Sequence, residues 1–293
     1  MPTFDTRQER AAMPTFDTPE PISVTIDLGY GDVRLTASDR ADTTVEVRPS
    51  NPAKDADVRS AEQTQVEFTA GRLLVKGPKQ RLGLFGKIGS VDVDIALPSG
   101  SHLHADAGLA AFRAEGRLGE CRIKAGAGDL HLEDTATVDL NTSAGAITLR
   151  RVAGNAEVST GTGRVRLQHV DGTATVKNSN GDTWVGTVTG DLRVKAANGD
   201  ITVDSAHADV TATTANGVIR IGETVRGTVS LKTAFGELEV GVRAGTAALL
   251  DVHTQFGHVR NSLQAVDAPA PEQGETIEIH ARTSFGDIII HHS

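Results

Sequence analysis

The chain has 293 residues, 3% of them aromatic and 23% charged, with a net charge of −9 and one cysteine, Cys121. Its Lys and Arg residues are scattered singly, which excludes a clustered nucleic-acid footprint, and a lone cysteine in an apolar column reads as a buried hydrophobe and excludes a disulfide framework. No apolar run reaches the length of a membrane span and the amino terminus carries no signal-peptide segment, so the expectation is a cytoplasmic protein without a membrane span.

In chain order, Met-Pro-Thr-Phe-Asp-Thr occurs at 1–6 and again at 13–18. This is either a short duplication or a sign that the natural start is Met13, and residues 1–18 are expected to be poorly ordered. Residues 19–100 hold strand-like runs at Ile22–Leu28, Thr44–Arg48, Val66–Thr69, Leu73–Lys76 and Val91–Leu97. Their irregular spacing predicts opening coils and a cap. The Gly-rich stretch Gly77–Ser90 reads as a loop that sets Leu82, Leu84 and Phe85 among Lys79, Arg81 and Lys87.

From residue 101 a repeat takes over. Gly128, Gly145, Gly163, Gly181, Gly199, Gly217 and Gly236 follow one another at intervals of 17, 18, 18, 18, 18 and 19 residues, and Gly31, Gly257 and Gly286 carry the same signature. Apolar residues stand two and four places after the glycine, as in Val165 and Leu167 or Ile201 and Val203. Another apolar column stands five places before it, as in Val158, Val176 and Val194. This alternation predicts short half-buried strands, and no window sustains a helical period, so essentially no helix is expected. A fixed short period means stacked, near-identical units. Asn-Gly corners at 180–181, 198–199 and 216–217 also fit hairpins. However, Asn180, Asn198 and Asn216, then Phe235, Phe256 and Phe285, precede successive glycines, and Thr recurs three places before. Such columns form ladders only if the coils run parallel and in register. The expected fold is therefore all-β, a parallel β-helix or β-solenoid of about 18 residues per coil. Residues 262–276, with Pro269 and Pro271, read as an insertion in the 101–293 solenoid.

The runs Gly-Asp-Leu-His-Leu at 128–132, Gly-Asp-Ile at 199–201 and 286–288, and the segment 241–261 resemble the bacterial β-strand-repeat family labelled "putative adhesin", a domain of unknown function. The likeness covers roughly residues 20–290. It implies a right-handed parallel β-helix and brings no catalytic or binding residues with it.

The motifs of chemistry are sparse. Asp182 and Asp200 stack one strand spacing apart and read as turn residues, because a calcium site needs six or more oxygen ligands and Arg164 and Val218 interrupt the column. His102 and His104 share a strand face without a third ligand at zinc spacing. The Gly-x-Gly runs lead into no helix, and no nucleophile elbow appears. Trp184 sits in an outward column and is expected either to pack over Arg166 as a cation–π pair or to serve as a sugar or partner platform. Ile289, outward on the last signature, is expected to mark an uncovered carboxyl-terminal coil that mediates any homo-oligomer.

These readings describe a non-catalytic binding or scaffolding module for an unknown protein or glycan, with no catalytic residue, metal or cofactor assigned. The partner surface comprises Trp184, Arg166 and Ile289. A filament-forming scaffold and a carbohydrate-active β-helix enzyme are the alternatives.

Overall fold

A computed structural model describes residues 14–78, 89–263 and 276–293. Each repeat supplies one strand before its glycine and one after it, and both pair in parallel with the same strands of the neighbouring coils. Ala156–Thr162 lies between Leu130–Ala144 and Ala174–Asn180, with Val158 beside Leu140 and Val176. Val165–Val170 lies between Ile147–Val152 and Thr183–Val188. The chain is thus a parallel β-solenoid whose coils wrap one axis.

The core is thin and continuous. Val158, Val165, Leu167, Val176, Ile201, Val203, Ile219 and Ile221 are fully buried, as the spacing predicts. Arg166 and Arg220 are exposed and Thr202 is half-buried beside Trp184. Each such aliphatic side chain contributes roughly 1.5–3 kcal/mol, so the repeated columns hold the stack together.

The corners show why the repeat needs its glycine. Gly199 has φ +133°, and a Cβ there would meet the Gly181 carbonyl oxygen at 2.2 Å. The Thr column answers that same row of carbonyls. Thr160 donates to the Gly145 oxygen at 3.2 Å, Thr233 to Gly217 at 3.1 Å and Thr283 to Gly236 at 3.1 Å. Asn178 replaces Thr in one coil and donates to the Gly163 oxygen at 3.1 Å. The buried glycine carbonyls are thereby satisfied at these coils, while the Asn178 Oδ1 is buried without a hydrogen-bond partner among the described residues.

One coil escapes the repeat signature. In His102–Ala127, Ala110 lies beside Gly31, so alanine holds the glycine's place and the spacing shows nothing there.

The amino-terminal end is built differently. Ser23–Ser38 is sandwiched between His102–Ala127 on one side and Arg72–Lys76 with Val91–Pro98 on the other. Antiparallel strands Gln65–Thr69, Asp42–Pro49 and Thr15–Asp17 continue beyond them. Of residues 1–18, expected to be poorly ordered, 1–13 lie outside the described residues. Thr15–Asp17 form a strand and Thr18 is buried against Thr43, their hydroxyls 2.8 Å apart. A helix, α1 (Asp55–Gln63), is the one exception among the described residues to the expectation of essentially no helix. Its buried face is Ala56, Asp57 and Ser60, small or polar residues that carry no apolar period. Asp57 accepts the backbone N–H groups of Asn51 and Ser90 at 3.1 and 3.0 Å, and Gly89 leaves room for the Ala56 carbonyl and the Ser60 side chain. Residues 79–88 of the Gly77–Ser90 loop, including Leu82, Leu84 and Phe85, lie outside the described residues.

At the carboxyl end the coils do not stack in chain order. Thr276–Phe285 pairs with Gly227–Phe235 on one side and Ala247–Phe256 on the other. Ile288–His292 likewise pairs with Leu238–Val242 and is flanked by Val259–Asn261. The spatial order is therefore Gly236, Gly286, Gly257. Thr254 donates to the Gly286 oxygen at 2.8 Å, which continues the Thr ladder in that swapped order. Ile289 stands between Glu239 and Arg260, so the expectation that it marks an uncovered edge is wrong. Among the described residues the outermost coil is the Gly257 coil. There the inward positions Val259 and Asn261 are exposed and Ala248, Leu250 and Val252 are only partly covered. Of the 262–276 insertion, 264–275 lie outside the described residues.

Candidate interaction surfaces

Trp184 projects outward from the Gly181 coil, where its strand runs between those bearing Arg166 and Thr202. The Arg166 guanidinium lies 5.2 Å from the indole centroid, and the indole N–H donates to Asp204 at 3.0 Å. Gly186, two residues on, makes room for the ring, whose edge would lie 3.1 Å from a Cβ at that position. The indole thus braces three successive coils, with one face and its donor already engaged. Ile289 lies two coils beyond Arg220 on this same outward row, so the structure does not gather Trp184, Arg166 and Ile289 into one patch.

The acidic residues that follow several of the key glycines are structural. The Asp129 carboxylate accepts the Ala146 N–H at 2.8 Å, Asp200 accepts that of Val218 at 2.8 Å, and Asp287 accepts that of His258 at 2.9 Å. Asp182 accepts the Asp200 N–H at 3.3 Å and pairs loosely with Arg164 at 3.9 Å. Each carboxylate therefore satisfies a corner N–H of the next coil. The His258 backbone N–H is the main cause that holds the Asp287 carboxyl below the ordinary carboxylate range. Partial desolvation opposes this and the Arg260 charge assists it.

The remaining polar groups also form cross-coil pairs. His169 bonds Asp171 at 2.7 Å and, with Arg151, holds its carboxyl low. Arg220 bonds Glu239, which His291 also reaches at 3.1 Å. His102 accepts the Glu120 N–H at 3.0 Å, and His104 approaches Asp106 at 4.0 Å. Burial pushes the Cys121 thiol up to about 12, which leaves it an inert core group. Among the described residues no group of three or more His, Cys, Asp or Glu is arranged to hold a metal ion, and no helix is long and apolar enough to cross a membrane.

What stands out on the surface is a ladder along the glycine corner. Asn216 donates to Asn198 and Asn198 to Asn180, each at 2.9 Å. Farther along the same corner the column becomes aromatic. Phe235 stacks on Phe285 at 4.9 Å and Phe285 on Phe256 at 4.8 Å, with rings within 10° of parallel. These three side chains remain 55%, 45% and 57% exposed. Leu249 and Val259 are exposed on the outermost coil as well, so five of the six large exposed hydrophobics among the described residues lie in the last three coils. The recurrence of Phe before each glycine is visible in the sequence as a ladder. Its exposure follows from the corner geometry, which turns that position away from both strand faces.

Residues 22–290 of this solenoid match the family described as Toastrack DUF4097. The chain belongs to the Toastrack DUF4097 family. No curated protein matches this Toastrack chain. Among solved structures, it is similar to a putative adhesin from Parabacteroides merdae at 14% identity and TM-score 0.45, over 78% of this chain and 95% of that one. A putative cell adhesion protein from Clostridium sporogenes matches at 11% identity and TM-score 0.25, over 96% and 98%. A putative lipid binding protein from Parabacteroides distasonis matches at 8% identity and TM-score 0.27, over 94% and 95%.

Proposed function

We propose that this Toastrack chain is a rigid, non-catalytic binding module that engages its partner through the Phe235–Phe285–Phe256 ladder. The observation that carries this reading is the ladder itself: three large rings, about half exposed, held in one row by the coil spacing. Preordered rings bind a protein or glycan surface at small entropic cost. A contiguous exposed apolar row is also the kind of surface that a soluble protein keeps for an interaction. Trp184 is the weaker candidate, since Arg166 and Asp204 already occupy it.

The test uses the protein's own alternative for this column. Phe235→Asn, Phe256→Asn and Phe285→Asn together extend the Asn ladder that three other coils already carry, so the stack should persist. Binding to a glycan array and to partners captured from the native cell is compared with wild type. Loss of binding with an unchanged far-ultraviolet spectrum and melting temperature is the expected result. Equal binding by the Asn variant would rule the ladder out. Turnover in a glycan hydrolysis screen would favour the carbohydrate-active reading instead.

A further inference from the structure

The two ends of the solenoid differ. The amino-terminal end continues into antiparallel strands and α1, whereas Ala247–Phe256 and Val259–Asn261 are the outermost described strands at the carboxyl end. Among the described residues these two strands pair on one side alone. The Phe256 carbonyl accepts the Gly286 N–H at 3.0 Å, so Phe256 turns its main-chain groups into the stack. The rest of the strand follows the other coils. Ala156, Ala174 and Leu192, each seven places before its glycine, donate their N–H groups to the next coil, as Thr214 does from three places before. Leu250 and Thr254, at those places in the outermost coil, therefore direct their main-chain groups outward, as Ala248 and Val252 do by alternation. Leu249, Asp251 and His253 turn theirs into the stack, as Thr173, Asp209 and Lys232 do at the equivalent places.

We propose that this edge pairs with the same edge of a second copy, antiparallel about a two-fold axis through Val252. Only registers that set outward-directed residues opposite one another form hydrogen bonds, and a dyad requires the pattern to match its own reverse. Centring on Val252 meets both conditions. Leu249 faces Gln255 of the second copy, Asp251 faces His253, and nearly the whole of Ala247–Phe256 overlaps. The register centred on Asp251 would set like carboxylates directly opposite, which disfavours it. Asp251 already bonds Arg282 at 2.8 Å and His280 at 3.3 Å from the neighbouring strand, and His253 lies beside Arg282 in register. The carboxylate therefore stands charged at the edge.

The partly covered Ala248, Leu250 and Val252 gain a continuation of the core, and the assembly closes as a dimer. Open-ended growth is not supported, because the opposite end presents a different, antiparallel edge. The two Phe256 rings come to opposite flanks, eight residues apart along the paired strands, roughly 27 Å at the antiparallel rise. The dimer would thus offer two aromatic ladders.

The experiment is sedimentation equilibrium of the full chain, paired with oxidative cross-linking of Val252→Cys and Asp251→Cys. Val252 meets its own copy as a hydrogen-bonded pair with Cα atoms about 5.5 Å apart, within disulfide range. Asp251 meets its copy only diagonally, at about 7–8 Å. The expected results are a wild-type dimer, a covalent dimer from Val252→Cys and none from Asp251→Cys. His253→Asp, which sets carboxylates opposite each other without touching the core, should weaken dimerisation at least about tenfold. A wild-type monomer at high micromolar concentration would overturn the proposal. So would cross-linking at Asp251→Cys in place of Val252→Cys, or growth into polymers. Dimerisation is read without any ligand, so its failure would leave the aromatic-ladder reading standing.

Discussion

At the scale of single residues, each repeat position answers a specific need of the coil above or below it. The glycine lets the backbone pass over the previous coil's carbonyl, the Thr hydroxyl satisfies that carbonyl, and the following Asp takes the next coil's N–H. Gly199→Ala would combine positive-φ strain with a Cβ driven into the Gly181 oxygen, and should cost roughly 2–5 kcal/mol. Gly245 also has positive φ, +84°, but nothing lies within 4 Å of an added Cβ, so Gly245→Ala should cost about 1 kcal/mol. Denaturant titration of both variants checks the contrast, and equal losses would contradict it. The glycine and apolar columns were readable from spacing alone, because packing and backbone sterics act through residue type at a fixed interval. The Asp role was not, since a solvated turn carboxylate and one bonded to the next coil look the same in one dimension. Trp184 stood out by composition and its Arg166 partner followed from the 18-residue period, whereas Asp204, 20 residues away, lies off that column and gave no signal.

At the scale of elements, the departures from expectation have two causes. Some elements lack the feature that marks the repeat. The coil around Ala110 has no key glycine, and α1 buries Ala56, Asp57 and Ser60, which show no apolar period. Other elements have the feature but not the order. The Gly257 and Gly286 coils carry interchangeable signatures, so period alone cannot say which lies outside. One residue did hold the information: Asn261 occupies a column that is Ile290 in the Gly286 coil, and a polar side chain there suits an outermost coil. The swapped coil is fastened by Asp287, whose carboxyl is held low chiefly by the His258 N–H. A depressed carboxylate contributes stability above its unfolded value of about 3.9 and loses it as pH falls through the lower folded value. The amide shift of His258 should therefore titrate with a midpoint below about 3.9. A midpoint at or above that value would show that the bond is not formed.

At the scale of the whole molecule, the protein is one stack with two unlike ends and one decorated corner. Stacking of near-identical coils explains how a chain with 3% aromatic residues builds a continuous core from Val, Ile, Leu and Thr. The end-to-end path explains where the exposed apolar surface collects, because the chain reaches the outermost coil first and fills the inner one afterwards. The aromatic ladder, the open edge and the dimer all depend on that order. It is tested most directly by two double-cysteine variants, scored for intramolecular disulfide by mass spectrometry. Ser230 lies beside His280 in the swapped order, whereas Asp251 would take that place if the coils followed the sequence. Neighbouring parallel strands are about 4.8 Å apart, within disulfide range, and next-nearest strands are about twice as far. Ser230→Cys with His280→Cys should close a disulfide within one chain, and Ser230→Cys with Asp251→Cys should not; the reverse result would contradict the coil order and everything built on it.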